Sequence, residues 1–581
     1  MKNIRIFLWV GLALILFVNF QTWQMDYAAK DAAAKAATQK ATDVAQAANP
    51  LADAVPKALP QNGSSPASTT AASATATSVP IVTAAGGSLP TPAVATAGAT
   101  APVINVRTDV LDVDISLRGG ELQRADLLDY PVQKGLPEKV RLLRNNGPGD
   151  QYLLQSGLAG AATAGAGEYP NHLATFQSDF TSFVLQPGES ELKVPLKWTS
   201  AEGVEVTKTL VFHRGGYRVD VEYAITNGSP APWTVAPYEQ ILHDRPPVKR
   251  SYFNVSSYAF VGPAFYDGTK YQKLKVTDKE DSTLSRDLTG GWIAALQHHF
   301  VTAIAPPIGE QNHYTLRVHG NEFLETVVGP SHTVAAGQSA NLKETVFVGP
   351  KLQQQLEAIH PELSRAADYG KLTFLAKPLF WLLEQAHKIF GNWGWSIIAV
   401  TFLLKLAFYP LSEASGKSMA KMKLVAPRLK QIQETYKDDR EKLGRATMEL
   451  YKKEKVNPAS SCLPMLIQLP VFLAFYWVLM ESVEMRQAPF IGWIQDLSSR
   501  DPFFILPLIM AGAMFLQFKL NPTPADPVQA KMFMIMPLVM SATFTMFPAG
   551  LVLYYVVNTC LTIAQQWNVN RRIEAAARPR D

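Results

Sequence analysis

The sequence contains almost no cysteine. Of its 581 residues two are cysteine, Cys462 and Cys560, and both lie in apolar segments. The long hydrophilic region that precedes them has none, which excludes a disulfide framework or a cysteine-based metal site as the means of holding that region together. That region therefore folds without covalent cross-links.

The common catalytic motifs are missing as well. The chain has no Walker loop, no G-x-S-x-G elbow, no H-E-x-x-H pair and no nucleotide-binding fingerprint. The histidines His298 and His299 invite a metal site, but adjacent residues on a strand point to opposite faces. We therefore expect a protein that is not an enzyme, with no catalytic residue, no metal, no cofactor and no small-molecule substrate.

Charged residues are scarce. They make up 18% of the chain against 47% hydrophobic residues, and the hydrophobic residues crowd into the last third. This composition indicates a membrane protein with a soluble part. The net charge of +5 is small for this length and gives no reason to expect nucleic acid as the main partner.

Two segments without a foldable core open the chain. Lys2 and Arg5 precede an apolar run, and the residues that follow this run are bulky or polar, which does not suit cleavage by signal peptidase. Residues 1–27 therefore favour an uncleaved transmembrane signal anchor with a cytoplasmic N-terminus. A cleaved signal peptide is the alternative. Residues 28–102 are mostly Ala, Thr, Ser, Pro and Gly, which predicts a disordered tether.

Residues 103–350 have the polarity pattern of β-strands. In LDVDISL, apolar Leu111, Val113 and Ile115 alternate with polar residues, as in a half-buried strand. Later in this region, Gly215 and Gly216 supply a tight turn between two more alternating runs. Many such runs, separated by Gly, Pro and Asn, predict an all-β antiparallel sandwich.

Residues 351–392 are predicted to form a linker and an amphipathic helix. The stretch from Lys371 to Phe390 places one set of apolar residues on one side of a helix: Leu372, Leu375, Leu379, Leu382, Leu383 and Phe390. This is typical of a helix that lies along a membrane surface. The alternative is an ordinary helix docked on the sandwich.

The rest of the chain contains five candidate membrane spans, which with the N-terminal anchor makes six. Residues 393–410 hold the second span, and residues 461–567 hold the third to the sixth. The five segments are Trp393 to Tyr409, Pro464 to Met480, Phe503 to Phe518, Met532 to Phe547 and Gly550 to Trp567. Several have only about 16–18 residues, or about 24–27 Å of helix against a hydrocarbon core near 30 Å. Short spans imply a thinned bilayer or a polar interior.

The loop charges predict the orientation. Residues 411–460 carry about a dozen Lys and Arg, whereas residues 481–502 have only Arg486 and Arg500. The first loop and the basic tail, residues 568–581, are therefore predicted to be cytoplasmic, and the sandwich to lie outside.

The basic loop at 411–460 has helical periodicity on either side of a break at YKDD, which predicts a helical hairpin. It is either a docking arm for the ribosome or anionic lipid, or a charged loop that only sets topology. The basic residues expected to contact a cytoplasmic partner are Lys417, Lys421, Arg428 and Arg440.

One apolar span contains a positively charged residue, Lys405. In TFLLKLAFYP, Lys405 lies about 7 Å from the cytoplasmic end of its span, close enough to extend its ammonium to the surface. Its neighbours favour another account, because Thr401 shares its helical face and the other spans carry polar residues but no acidic one. These residues are Gln468, Gln517, Ser541, Thr543, Thr545, Tyr554, Tyr555, Asn558, Thr559 and Thr562. We expect a shared hydrated cavity with one uncompensated positive charge, which would attract anionic groups.

Such a cavity is compatible with some functions and not with others. A proton or ion carrier usually has Asp, Glu or His at mid-membrane, and these spans have none. A transporter or channel for a small anion remains an alternative. So does a membrane-tethered β-sandwich that acts as a scaffold or binds a ligand outside.

Three strings resemble the YidC family of bacterial membrane protein insertases. They are VNPASSCLPMLIQLPVFLAFYWVL from Val456, ESVEMRQAPFIGWIQDLSSRDPFFILP from Glu481 and FPAGLVLYYVVNTCLTIAQQ from Phe547. The stretch GGELQRADLLDYP from Gly119 resembles the large periplasmic domain of the Gram-negative members. The resemblance covers the whole chain and implies a multi-domain inner-membrane protein with an all-α core of five helices.

The resemblance also implies a mechanism and its residues. Family members have a hydrophilic groove with a positive residue, usually arginine, whose place Lys405 takes here, while Thr401 and Tyr555 match groove-lining positions. Gln468 and Asn558 join them as polar residues of the spans. The residues implied for the apolar slide, along which cargo would reach lipid, are Pro464, Leu469, Pro470, Phe533, Pro537 and Met540. The implied partners are nascent membrane proteins, the ribosome, the Sec translocon and membrane lipid.

Overall fold

The computed structural model describes residues 101–147, 149–160, 169–244, 259–275, 279–436, 439–454, 459–520 and 527–577. The predicted anchor at 1–27 and the predicted tether, up to its last two residues, lie outside the described residues. So do the last four residues of the predicted tail.

The described residues contain nineteen strands and form two sheets. In chain order the strands are β1 (Val103–Arg107), β2 (Leu111–Ser116), β3 (Leu122–Pro131), β4 (Lys139–Asn145), β5 (Gln151–Ala159), β6 (Ser182–Val184), β7 (Glu191–Thr199), β8 (Val204–His213), β9 (Arg218–Asn227), β10 (Trp233–Asp244), β11 (Gly262–Tyr266), β12 (Tyr271–Lys273), β13 (Ser285–Thr289), β14 (Trp292–Leu296), β15 (Phe300–Ile304), β16 (Gln311–His319), β17 (Glu322–Val328), β18 (His332–Val334) and β19 (Ser339–Pro350).

The larger sheet has eleven strands in the order β13-β16-β17-β10-β5-β4-β3-β2-β1-β6, with β18 paired to β10. The smaller sheet has eight, in the order β12-β11-β14-β15-β19-β9-β8-β7. Neighbouring strands are antiparallel apart from β1 and β6, which run parallel. The predicted hairpin at Gly215 is confirmed, because β8 and β9 pair in register around it and Gly215 has a φ of 66°, a value that glycine adopts without strain.

The two sheets face each other across one hydrophobic core. It takes Val106, Ile115 and Leu154 from the larger sheet and Leu210, Trp292 and Val346 from the smaller one. On β2, the alternation in LDVDISL decides which side chains enter this core. Leu111, Val113 and Ile115 are buried, while Asp112 and Asp114 are only half buried.

A buried lysine crosses between the sheets. Lys208 on β8 donates from its ammonium to the backbone oxygens of Gly119 at 2.8 Å, Gly120 at 3.2 Å and Ser156 at 2.9 Å. All three ammonium protons are thereby satisfied, as burial of such a group requires.

His298 and His299 do not lie on a strand, as the sequence argument assumed. The two residues lie in the turn between β14 and β15 rather than on a strand, and their rings stack with centroids 3.8 Å apart. They therefore point the same way, and the argument from opposite strand faces does not apply to them.

Ten helices are described, one in the sandwich and nine after it. They are α1 (Lys279–Ser282), α2 (Gln353–Ile359), α3 (Thr373–Phe390), α4 (Trp393–Ala407), α5 (Tyr409–Thr435), α6 (Arg440–Lys453), α7 (Ala459–Glu481), α8 (Ile505–Leu520), α9 (Pro527–Phe544) and α10 (Ala549–Ala577). Short 3-10 turns lie at Leu363–Ala366, Gly370–Leu372 and Val483–Met485.

Helix α3 has two apolar faces instead of the one predicted. Leu379 and Leu383 are buried in the helical core, beside Ile397 of α4 and Phe475 of α7. Phe390, which was expected on that same face, is exposed, as are Phe374, Trp381 and Ile389. The helix thus packs on the bundle with one face and presents a second apolar face outward.

No single described helix is both long enough and apolar enough to cross a bilayer. Helix α4 and the first part of α5, Trp393–Ala407 and Tyr409–Met422, meet that test together as a pair bent by 67°. Three shorter apolar helices span Gln468–Glu481, Ile505–Leu520 and Met534–Phe544. The count of six spans stays a prediction.

The sandwich is fixed to the end of α7. Val483, just after that helix, is buried in the hydrophobic core of the sandwich. The His298 imidazole donates to the backbone oxygen of Met480 at 2.9 Å, and the hydroxyls of Tyr369 and Ser482 are 3.1 Å apart. The residues after α7 are therefore shared between the two parts of the molecule.

The β3–β4 turn makes a second contact with the same segment. The Arg486 guanidinium donates to the backbone oxygens of Pro131 at 2.8 Å and Val132 at 3.2 Å, and it lies over the Phe300 ring at 5.6 Å. Lys134 donates to the Gln495 side chain at 3.0 Å. These contacts give the sandwich a defined orientation on the bundle.

We expect Arg486→Ala to loosen this attachment, because it removes a charged donor whose hydrogen bonds contribute about 1.5–3 kcal/mol. Spin labels at the exposed positions Glu202 and Ile491, in a chain with Cys462 and Cys560 replaced, would then show a broader distance distribution by pulsed electron paramagnetic resonance. Arg144→Ala is the control, since Arg144 pairs with Asp150 inside the sandwich. An unchanged distribution in Arg486→Ala would contradict the assignment.

Candidate functional site

The helix that carries Lys405 ends one turn after it. Asn392 caps the start of α4 by accepting from the backbone N–H groups of Gly394 at 2.9 Å and Trp395 at 3.2 Å. At the other end Phe408 leaves the helical path, and Pro410 sits in the first turn of α5, where its missing N–H has no cost. The resulting 67° bend places Lys405 beside a helix junction.

The Lys405 ammonium is held by α10. Its Nζ donates to Thr562 Oγ1 at 2.8 Å, and the Thr562 hydroxyl donates in turn to the Asn558 backbone oxygen at 2.7 Å. Among the described residues, the other two Nζ protons have no hydrogen-bond acceptor and no carboxylate forms an ion pair with them. The charge is therefore positioned but not neutralised.

Those free donors lie at a small cavity of about 40 Å³, which is enough for a few water molecules. Its lining comes from four helices and consists of Thr401, Leu404, Lys405, Phe408, Leu411, Ser412, Gln468, Val471, Tyr554 and Asn558. The lining thus combines polar and apolar side chains.

The structure brings four of the five predicted groove residues to this cavity: Thr401, Lys405, Gln468 and Asn558. Thr401 is buried and donates its hydroxyl proton back to the Ile397 backbone oxygen at 2.6 Å, so its oxygen is an acceptor for the cavity. Tyr555 is half buried elsewhere, and the tyrosine that lines the cavity is its neighbour Tyr554.

Tyr555 belongs to an aromatic cluster above the cavity, on the side of the sandwich. Its ring lies 6.0 Å from Phe472 and 5.0 Å from Phe544, joining α7, α9 and α10. Tyr554 stacks on Phe475 at 4.4 Å. Since Gln468 precedes Phe472 and Phe475 along α7, these rings lie between the cavity and the sandwich.

The outer face of α7 carries part of the predicted slide. Leu469 is 54% exposed, Pro470 is exposed, and Leu473 and Trp477 extend the same apolar stripe at four-residue spacing. The side chains of Pro464, at the start of α7, and Phe533, on α9, lie outside the described residues.

On α9 one assignment was wrong. Pro537 is buried on the face that packs on α8, where the Ser541 hydroxyl donates to the Pro507 backbone oxygen at 2.5 Å. Met540 is half buried. The apolar side chains that α9 exposes are Met534, Ile535, Met536, Leu538 and Val539.

The predicted partner contacts lie on the α5–α6 hairpin, where α5 and α6 pack through Val425 and Leu450. Lys421 is exposed, whereas Lys417 pairs with Glu413 at 2.9 Å and Arg428 pairs with Glu454 at 2.5 Å. Arg440 opens α6, and its side chain lies outside the described residues. Two of these basic residues thus have an acidic partner within the hairpin.

The sequence argument missed Thr562 as the partner of Lys405. Thr562 was among the polar residues noted in the spans. It lies four residues after Asn558, and this spacing indicates that the two residues share one face of the helix. Ser412 and Phe408 were also missed. The bend that turns them toward the cavity is indicated in the sequence only by Pro410.

Two family models match nearly all the residues after the tether. The model for the YidC periplasmic domain matches residues 103–382, and the model for the 60Kd inner membrane protein matches residues 385–576. The chain belongs to the YidC family. The boundary between the two YidC models falls inside α3, the helix that joins the sandwich to the bundle.

Full-length YidC relatives support the same assignment. The membrane protein insertase YidC of Thioalkalivibrio sulfidiphilus is 45% identical over 586 residues, covering 100% of both chains. That of Pseudomonas aeruginosa is 42% identical over 601 residues, covering 99% of each. A crystal structure of an active YidC insertase aligns with 80% of this chain and 94% of its own, at 18% identity and a TM-score of 0.35.

We expect Thr562→Val to lower insertion of a small membrane protein severalfold. The change keeps the side-chain volume but removes the acceptor that positions Lys405, a charge-assisted contact of about 1.5–3 kcal/mol. The measurement is protease protection of the inserted product in proteoliposomes, at matched protein levels. Thr562→Ser is the control and should keep near-normal insertion, and equal activity of the Val variant would contradict the role of this contact.

Proposed function

We propose that this protein inserts nascent membrane proteins into the bacterial inner membrane, without enzymatic chemistry. The observation that carries the proposal is the Lys405 ammonium, held at 2.8 Å by Thr562 and otherwise unpaired among the described residues, at a cavity inside an apolar bundle. A fixed cation in such a site has one evident use, which is to attract an anionic or polar group from outside.

The groove would receive the hydrophilic end of the cargo. Gln468, Asn558 and the Thr401 oxygen offer hydrogen bonds beside the ammonium, and each one lowers the cost of holding a polar group at membrane depth. The aromatic cluster of Phe472, Phe544 and Tyr555 lies on the sandwich side of the cavity. Entry would therefore occur from the hairpin side.

The apolar segment of the cargo would move along the outer faces of α7 and α9. Leu469, Leu473 and Trp477 on one helix, with Met534 and Leu538 on the other, expose apolar surface. Transfer of the segment from water to lipid supplies the driving force. For charged tails the membrane potential adds about 2.3 kcal/mol per charge per 100 mV.

The proposed topology has six spans with both termini in the cytoplasm and the sandwich in the periplasm. The basic hairpin supports it, since residues 411–460 carry about a dozen Lys and Arg, far more than the segment 481–502. The hairpin, with Lys417, Arg428 and Arg440, and the tail would contact the ribosome, and the Sec translocon and lipid are the other proposed partners.

Lys405→Glu is expected to impair insertion of substrates with acidic N-terminal tails by about tenfold or more, whereas Lys405→Arg keeps most of it. Glutamate reverses the charge that attracts the tail, while arginine preserves the charge and changes only its geometry. Insertion of such a substrate, and of one with a neutral tail, is measured in proteoliposomes. Equal insertion by all three proteins would contradict the proposal and leave surface positioning of the ammonium as the better account.

Photo-crosslinking tests the path of the cargo directly. A photoreactive amino acid at position 405 should crosslink the polar tail of a stalled nascent chain, and one at position 469 its apolar segment. The control position is Leu516 on α8, which is exposed but outside the proposed slide. Crosslinks at 516 as strong as those at 469 would refute the slide.

Proteoliposomes also distinguish membrane protein insertion from the alternative function, transport of a small anion. Selective flux of a small anion without insertion of a membrane protein would support an anion channel that uses the Lys405 cavity.

A further inference from the structure

Methionine is unevenly distributed over the surface of the protein. Among the described residues four methionines are exposed, and three of them, Met532, Met534 and Met536, lie on α9. The fourth is Met448, on the basic hairpin. The large apolar side chains that α4, α7 and α8 expose in the described part of the chain are phenylalanine, tryptophan, leucine and isoleucine. Helix α9 therefore differs in side-chain chemistry from the other helices with apolar surface.

The methionines of α9 continue a stripe that begins inside the bundle. Counting back from Phe544 in steps of four residues gives Met540, Met536 and Met532, and residues at this spacing lie on one face of a helix. Phe544 is 4% exposed and Met540 is half buried, whereas Met536 is 46% exposed and Met532 43%. The stripe thus emerges from the core as α9 is followed toward its N-terminal end.

The contacts of α9 show which way this stripe faces. The Ser541 hydroxyl donates to the Pro507 backbone oxygen at 2.5 Å, so that side of α9 packs on α8. The Phe544 ring instead lies 6.1 Å from Phe472 of α7 and 5.0 Å from Tyr555 of α10. Because the methionines share the face of Phe544, the stripe is turned toward α7 and α10 rather than toward α8.

The exposed part of the stripe is open to a ligand, since Met536 and Met532 are nearly half exposed. Two occupants suit an apolar surface at membrane depth, the acyl chains of lipid and the apolar segment of a cargo protein. Acyl chains present the same surface everywhere, and α4 and α8 expose Phe402, Leu403 and Leu508 without any methionine among their described exposed residues. Cargo segments differ in shape, and the unbranched, polarizable methionine side chain adapts to such differences. The composition of the stripe therefore favours cargo.

We propose that Met532, Met536 and Met540 form an adaptable contact surface that lets α9 accept apolar cargo segments of different side-chain shape. This inference rests on the proposed insertion function and adds the residues that determine which segments are accepted. The methionine side chains repack around branched or aromatic residues of the cargo, and their sulfur atoms also make favourable contacts with aromatic rings. The range of cargo thus depends on flexible side chains rather than on a pocket of fixed shape.

Insertion of three model cargoes by the full-length protein in proteoliposomes tests this surface. The cargoes differ only in one transmembrane segment, which is rich in leucine, in isoleucine and valine, or in phenylalanine, at matched mean hydropathy. The unmodified protein should insert all three to a similar extent. The triple variant Met532→Leu, Met536→Leu and Met540→Leu keeps the apolar volume but loses flexibility and sulfur, so it should retain the leucine cargo and lose about fivefold on the other two.

Met448→Leu is the matched control, because Met448 is 58% exposed on α6 and lies outside the proposed path of the cargo. This variant should insert all three cargoes as the unmodified protein does. Thermal unfolding of each variant in lipid nanodiscs shows whether it is folded before its insertion is compared.

Photo-crosslinking gives a second measurement that does not depend on the fold of the triple variant. A photoreactive methionine analogue at position 536 of the otherwise unmodified protein should crosslink the transmembrane segment of all three stalled cargoes. The same group at Leu403, which is 51% exposed on α4 and outside the proposed path, should not. Crosslinks from position 536 to lipid alone would show that acyl chains occupy the stripe and would overturn the inference.

The outcomes separate this inference from the function on which it rests. If the unmodified protein inserts none of the cargoes, the proposed function fails and the inference fails with it. If the unmodified protein inserts all three, an unchanged profile in the folded triple variant, or an equal loss for all three cargoes, would overturn the role of the methionines alone. Equal losses would show that these side chains only support packing.

Discussion

The structure depends on one costly group, an ammonium inside an apolar helix bundle. Among the described residues, Lys405 makes a single hydrogen bond, to Thr562, which leaves two of its donors open. Burial of a charge is tolerated where partners or water compensate it. The polar lining, the helix junction at Phe408 and the small cavity provide that compensation, so the rest of the site can be understood as a response to this charge.

The aromatic cluster of the bundle and the attachment of the sandwich lie at the same end of the helices. Rings of α7, α9 and α10 meet on the side of the sandwich, with Phe544 and Tyr555 5.0 Å apart. On the same side, His298 and Arg486 tie the sandwich to the residues after α7. The opposite side holds the bend between α4 and α5. The aromatic cluster and the attachment of the sandwich thus share one end of the bundle, and the bend lies toward the other.

The strands and helices could be predicted from the periodicity of the sequence. Lys405 could be identified as a charged residue within an apolar run, which is also a local feature. The alternation of β2 and the apolar run of α4 report their environment directly. The contact between Lys405 and Thr562 cannot be predicted from local sequence. It joins residues 157 positions apart and depends on how α4 packs on α10. Tyr554 replaces Tyr555 at the cavity for the same reason, as adjacent helical residues differ by about 100° in direction. The burial of Pro537 likewise depends on packing.

The junction between α4 and α5 has a mechanical consequence. The two helices meet at 67° through one residue, Phe408, so no unbroken helical axis connects Lys405 with the hairpin. Helix α4 packs on α3 and α10, whereas α5 packs on α7 and α10. The direction of the basic arm is therefore set by packing contacts of its own and does not follow from the axis of the helix that carries the ammonium.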